Sequence, residues 1–197
     1  MRMDRKKLLL VGVAVLALLG LIVYSNLGAS QLEVLDEIGG PFTLTGEGGK
    51  QYTREDFTGK VVMLTFGFTN CPDVCPTTLF SMKRLRNKLS GPLDRFQVLF
   101  VTLDPERDPP DHLAKYVSHF GEGILGLGGD LEHIEAIAKA YKTKFFKRPL
   151  ADTNTYTIAH SDFMYLLDGK GRTRGIYHHN EPLEKIIQDA QSLLEEL

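Results

Sequence analysis

The chain has 197 residues, a formal net charge of -2 and 43% hydrophobic residues. That length fits one domain of ordinary size, and the hydrophobic content suffices for a packed core and excludes disorder. The charge divides unevenly: Arg2, Arg5, Lys6 and Lys7 face one acid, Asp4, in the first 30 residues, and the remainder carries 19 bases against 24 acids, a mildly acidic domain that does not suggest nucleic-acid binding.

Leu8 to Tyr24 is an apolar run of seventeen residues, and no charge appears from Leu8 through Leu32. Secretory apolar segments run to about 7–15 residues and spanning helices to about 17–25. The run sits at that overlap. A cleavage site at Leu27-Gly28-Ala29 is conceivable but has Leu at its first position, so an uncleaved single-span anchor is the preferred reading. In either case the basic flank stays inside and the chain from about residue 31 is exported. The expected organisation is a basic tail with an anchor or signal over 1–30, then an exported domain over 31–197, in a bacterial inner membrane with the domain in the periplasm or outside.

Gln31 to Glu37 reads as a linker. Phe42-Thr43-Leu44 and Gly48 to Tyr52 form a strand, turn and strand. Arg54 to Lys60 is a turn that feeds an apolar strand, Val61 to Phe68. Phe68-Thr69-Asn70-Cys71-Pro72-Asp73-Val74-Cys75-Pro76 then holds both cysteines of the chain. A helix follows, with Leu79, Met82, Leu85 and Leu89 on one face and Lys83, Arg84, Arg86 and Lys88 elsewhere. Pro76 suits a first helical turn, where the missing N–H has no function. A thiol at that end ionises more easily, because unpaired N–H groups and the helix dipole favour negative charge. Ser90-Gly91-Pro92 ends the helix.

Phe96 to Leu103 is a buried strand that enters a rigid polar loop, Asp104 to Pro110. Asp111 is expected to cap a helix through Phe120. Ile124 to Leu127 is a short strand, and Asp130 caps a helix with Leu131, Ile134, Ile137 and Ala138 inward. Tyr141 to Thr157 is irregular and partly basic, as in an extended hairpin or loop beside the main sheet. Ile158 to Leu167 reads as one central strand, Asp168 to Gly171 as a tight turn, and Arg172 to Tyr177 as its return. Glu181-Pro182 opens a last helix. This order predicts an α/β fold: a mixed sheet flanked by helices, thioredoxin-like in element order, with an N-terminal β-hairpin and an inserted loop or hairpin. Reactive groups at the carboxyl end of the first central strand suit such a sheet.

Three residues separate Cys71 from Cys75, one more than in thioredoxin-like oxidoreductases. On one helical turn the pair would lie roughly 5–6 Å apart at Cβ, near enough to share a metal ion or close a disulfide. A structural staple is disfavoured, since so short a loop gains little from closure. A metal needs a third ligand from elsewhere. Of the six histidines, His112, His119 and His133 fall in solvated helical patterns. His178-His179 lies far from Gly169 in its hairpin. His160 enters an apolar strand, where an imidazole needs a partner; ligand and hydrogen-bonded core histidine stand equal on pattern alone. Two thiolates and an imidazole suit copper, and zinc would accept them too. Met63, Met82 and Met164 read as core.

The cysteine segment, together with Val101-Thr102-Leu103-Asp104-Pro105-Glu106-Arg107-Asp108 and with His160-Ser161 leading to Met164-Tyr165-Leu166-Leu167-Asp168, resembles the Sco/SenC family of copper proteins over about residues 38–196. The resemblance implies a membrane-anchored, thioredoxin-like domain that assists assembly of the CuA centre of cytochrome c oxidase. It implies one copper ion, as Cu(I) or Cu(II), bound by Cys71, Cys75 and His160. The implied partners are the CuA subunit, other periplasmic copper chaperones and thioredoxin-like reductants. It assigns no role to Asp104-Pro105. One departure stands out: the family often has an acid before the histidine, and here Ala159 removes that hydrogen-bond acceptor. The rival from another class is an exported thiol–disulfide oxidoreductase, with Cys71 and Cys75 as its redox pair, that keeps the CuA cysteines reduced.

Overall fold

The computed structural model describes residues 11–12, 14–20, 32–151 and 154–197. The apolar run at 8–24 lies partly outside them, and the Leu27-Gly28-Ala29 segment wholly so. Residues 11–12 and 14–20 are helical and exposed. Among the described residues no helix is long and apolar enough to cross a membrane. Met1–Gln31 and Leu32–Leu197 are separate compact units, and the second holds the site.

The second unit opens with β1 (Thr43–Thr45) and β2 (Gln51–Thr53), an antiparallel hairpin. Next come β3 (Val61–Gly67), α1 (Val74–Lys88), β4 (Phe96–Thr102), α2 (Pro110–Ser118), β5 (Ile124–Leu127) and α3 (Leu131–Ala140). Then β6 (Phe145–Pro149) and β7 (Tyr156–His160) form a two-stranded ribbon. The chain ends with β8 (Phe163–Leu167), β9 (Thr173–His178) and α4 (Leu183–Glu195).

Five strands make the main sheet in the order β5-β4-β3-β8-β9. The β3-β4 and β4-β5 pairs are parallel, and β3-β8 and β8-β9 are antiparallel. The central strand β3 is buried at every residue, which its continuous apolar run requires of a strand covered on both faces. α1 buries Leu79, Met82 and Leu85 and packs on α4, while α2 packs on β5. The mixed sheet flanked by helices, the leading hairpin and the inserted hairpin all match the element order read from sequence.

Two local expectations change. Ile158 to Leu167 is two strands: β7 pairs with β6 outside the main sheet, and β8 lies between β3 and β9. The polar step His160-Ser161-Asp162 is where the chain changes partners; the Ser161 N–H donates to the Lys144 carbonyl at 2.9 Å. Asp111 does not cap α2, because Pro109 holds that place and Pro110 starts the helix. The Asp111 carboxylate accepts instead from the Gly48 N–H at 2.9 Å. Asp130 caps α3 as expected, accepting the His133 N–H.

The β8-β9 turn carries a test of the fold. The buried Asp168 carboxylate accepts from Arg172, from Arg174 and from the Lys170 and Arg172 N–H groups. Burial alone would raise its pKa, but these donors outweigh burial and hold it below the usual carboxylate value. Its contribution to stability is therefore complete above the unfolded value, about 3.9, and is lost as pH falls through the lower folded value. Asp168→Asn should be less stable than wild type in urea at neutral pH, and the two should converge in acid.

Candidate metal centre

The cysteine loop starts where β3 ends. The Cys71 N–H donates to the Phe68 carbonyl at 3.2 Å, which closes a turn. Pro72 disfavours helical backbone at the residue before it, so Cys71 stays outside α1. Only Cys75 lies in the helix, as its second residue, with Pro76 as the third. This corrects the expectation of two sulfurs on one helical turn. The correction favours binding, because the free first turn of α1 now faces the Cys71 sulfur. The Cys75 N–H donates to Cys71 Sγ at 3.4 Å.

Gly67 is a site residue that the sequence reading missed. A Cβ there would sit 2.9 Å from Cys75 Sγ and 2.6 Å from the Phe100 ring. Only a residue without a side chain lets the thiol rest against the strand end. The available signal was a lone glycine in an apolar strand, which often marks a close approach.

His160 is the last residue of β7 and is half-buried. Its Nδ1–H donates to the Ser161 carbonyl at 2.8 Å. That fixes the tautomer and leaves Nε2 with a lone pair, 3.7 Å from Cys75 Sγ. The ring meets the Phe68 edge at a centroid distance of 6.0 Å. The donor atoms of Cys71, Cys75 and His160 all lie within 4.8 Å of one another. With metal–sulfur bonds of about 2.3 Å, donors around one trigonal ion sit about 4 Å apart. The three side chains fit one ion with little movement, and their softness suits copper.

The two thiols are unlike. Cys75 is buried and Cys71 half-buried, and both are free. A hydrogen bond from the Cys75 thiol, aided by His160 and by the Asp73 and Cys75 backbone, holds the Cys71 pKa far below the usual thiol value against the effect of burial. The same bond, with burial and the Cys71 charge, pushes Cys75 up. Burial disfavours the imidazolium of His160, but Cys71, the Ser161 carbonyl and Asp162 outweigh it and raise its pKa.

Two buried carboxylates from the 104–108 loop fix the frame. Asp108 accepts from the Thr69 N–H at 2.9 Å, Thr69 Oγ1 at 2.5 Å and Thr102 Oγ1 at 2.6 Å, which pins the cysteine loop to the end of β4. Asp104 accepts from Arg107 Nε and from the Tyr156 hydroxyl at 2.8 Å. Arg107 lies 3.8 Å over the Tyr156 ring and donates to the Tyr156 carbonyl at 2.9 Å. Tyr156 begins the strand that His160 ends, so this lock seats the ribbon. It gives structural work to the loop that the sequence left without a role.

The other histidines stay away. His112 touches Thr69 Oγ1, His119 its own helix and His133 the Asp130 cap. His178 and His179 both turn to Asp162. Met63, Met82 and Met164 are core. Lys88 pairs with Glu184 at 3.5 Å.

The family model SCO1/SenC matches residues 30–195. The chain is 37% identical over 161 residues to the mitochondrial protein SCO2 of Saccharomyces cerevisiae, covering 79% of this chain and 54% of that one. It thus spans about half the length of that relative. The structure of Bradyrhizobium japonicum ScoI with copper bound superposes with a TM-score of 0.70 at 34% identity, covering 81% of this chain and 98% of that one. BsSco, described as a Sco-family cytochrome c oxidase assembly protein with a disulfide switch, superposes at 0.66 with 26% identity, covering 84% and 98%.

Two outcomes follow from the geometry. In metal-free protein, iodoacetamide should modify Cys71 first, with a pH midpoint well below about 8.5. Cys75→Ala removes the donor and should move that midpoint up. Arg107→Lys keeps the charge but loses the fork, and should weaken metal binding about tenfold or more in competition with a chromophoric chelator. Undiminished affinity would mean that the ribbon holds His160 without this lock.

Proposed function

The chain belongs to the SCO1/SenC family, and from that premise we propose that it binds one copper ion through Cys71, Cys75 and His160 and delivers it to, or matures, the CuA centre of cytochrome c oxidase. The observation that carries this reading is the convergence of two thiols and an imidazole, from the cysteine segment and from β7, within 4.8 Å. Copper here is cargo. Cys71 is half-buried, so the incoming ion or the accepting ligand reaches the thiolate first. Three ligands leave the ion accessible to a fourth from a partner, which suits exchange. The apolar run 8–24 anchors the chain in a bacterial inner membrane with one span, and the domain works on the periplasmic side.

The asymmetry of the thiols also favours a second reading, a reductase of the CuA cysteines. The Cys71 thiolate would attack a partner disulfide to form a mixed disulfide and release one partner thiolate. Cys75, losing its proton, would attack Cys71 Sγ and release the second. The partner leaves as a dithiol and this chain as a disulfide, which a thioredoxin-like dithiol reductant restores. This path needs both cysteines but not the imidazole.

One substitution separates the two. With His160→Ala, oxidase assembly should collapse for a carrier and persist for a reductase. Copper titration of the reduced protein should give thiolate-to-Cu(II) charge-transfer bands that vanish in Cys71→Ser and Cys75→Ser. A Cys71→Ser/Cys75→Ser double variant that holds copper as tightly as wild type would end the carrier reading.

A further inference from the structure

We propose that the cleft between α3 and β6 is where this chain docks the protein that accepts its copper, and that it recognises an acidic segment of that protein bearing apolar anchor side chains. The inference rests on the carrier reading and extends it to a surface outside the metal centre.

The cleft encloses about 790 Å³. Its apolar wall comes from Leu131 and Ala138 of α3 and from Phe145 and Phe146 of β6. Phe146 is 63% exposed and Leu131 45%, large apolar groups that water covers poorly and a partner would cover well. Around them stand Lys139, Lys142, Lys144 and Lys147, with Glu135 the one acid in the lining. This positive rim lies on a domain whose acids outnumber its bases, so the local sign is set against the background. Lys139 and Lys144 make no ion pair among the described residues. Lys142 pairs with Glu37 at 3.1 Å and Lys147 with Glu106 at 2.7 Å. Such exposed pairs are worth little and exchange readily. Glu37 also demonstrates the chemistry, since a carboxylate of this chain already sits on the rim.

Charge complementarity therefore selects an acidic partner, and the aromatic wall selects one with an apolar anchor. A cleft with two walls receives an inserted side chain better than a flat bilayer, so a protein is favoured over an anionic lipid surface. The position suits delivery. Phe145 stands opposite His160 in the ribbon ladder and Phe146 opposite Ala159. A protein seated here lies against β6, the strand paired with the one that carries the imidazole ligand.

The test uses copper-loaded full chain and, as probe, the copper-free CuA domain of the oxidase from the same organism. The variants are Lys139→Glu/Lys144→Glu, alone and with Phe146→Ser. All three sites are exposed, so folding and copper affinity should stay at wild-type values, and the charge-only pair serves if the triple variant unfolds. Wild-type transfer should slow as salt rises from about 50 to 300 mM, and the variants should transfer at least about tenfold more slowly. Transfer at the wild-type rate by the variants overturns the docking proposal and leaves the carrier reading standing. So does a loss confined to binding of phosphatidylglycerol vesicles, or a wild-type dimer that Phe146→Ser dissolves. A wild-type chain that cannot metallate the CuA domain at all overturns the carrier reading, and this proposal with it.

Discussion

The Cys75 sulfur rests against the carboxyl end of the central strand because Gly67 has no side chain to keep it off. The rest of the metal centre is measured from that contact. It sets where α1 begins, and the first turn of α1 presents the Cys75 N–H to the Cys71 sulfur. Pro72 keeps Cys71 out of the helix and in front of that turn. A buried sulfur, a half-buried sulfur and a helix N-terminus thus come from nine consecutive residues.

Those nine residues supply two donors, and the third arrives on a separate structural unit. His160 belongs to a two-stranded ribbon with no ladder to the main sheet. Ile158 packs the ribbon on the apolar core, and a polar lock of Asp104, Arg107 and the two ends of Tyr156 fixes it relative to the cysteines. A buried carboxylate needs all its partners, so this lock is specific, but it is small beside the apolar core. The same lock places the ribbon's outer surface, with its exposed phenylalanine and its lysines, where an arriving protein would press on it.

The thiol pair gains its asymmetry from one shared hydrogen bond. The proton stays on the buried sulfur, and the charge collects on the accessible one, near the helix end and the raised imidazole. That distribution serves ion capture and disulfide attack equally well. Cysteine geometry alone therefore does not separate the carrier from the reductase, and the imidazole is the group on which the two chemistries part.

The amino-acid sequence by itself determined the element order apart from the β7–β8 step, the buried central strands, the Asp130 cap, Met63, Met82 and Met164 as core and the cysteines at a strand-to-helix junction. Those follow from periodicity and from the local chemistry of proline, glycine and small polar residues, which act over a few positions. It left His160 balanced between ligand and core, and family resemblance rather than pattern tipped it. It merged β7 with β8, because an apolar run looks the same whether or not its backbone changes partners midway. It gave no role to Gly67, Asp104 or Arg107, whose effects are exerted on groups distant in the chain. Tertiary structure alone decided which side chains converge, since a distance between residues 75 and 160 is fixed by packing and hydrogen bonds that no local sequence window contains.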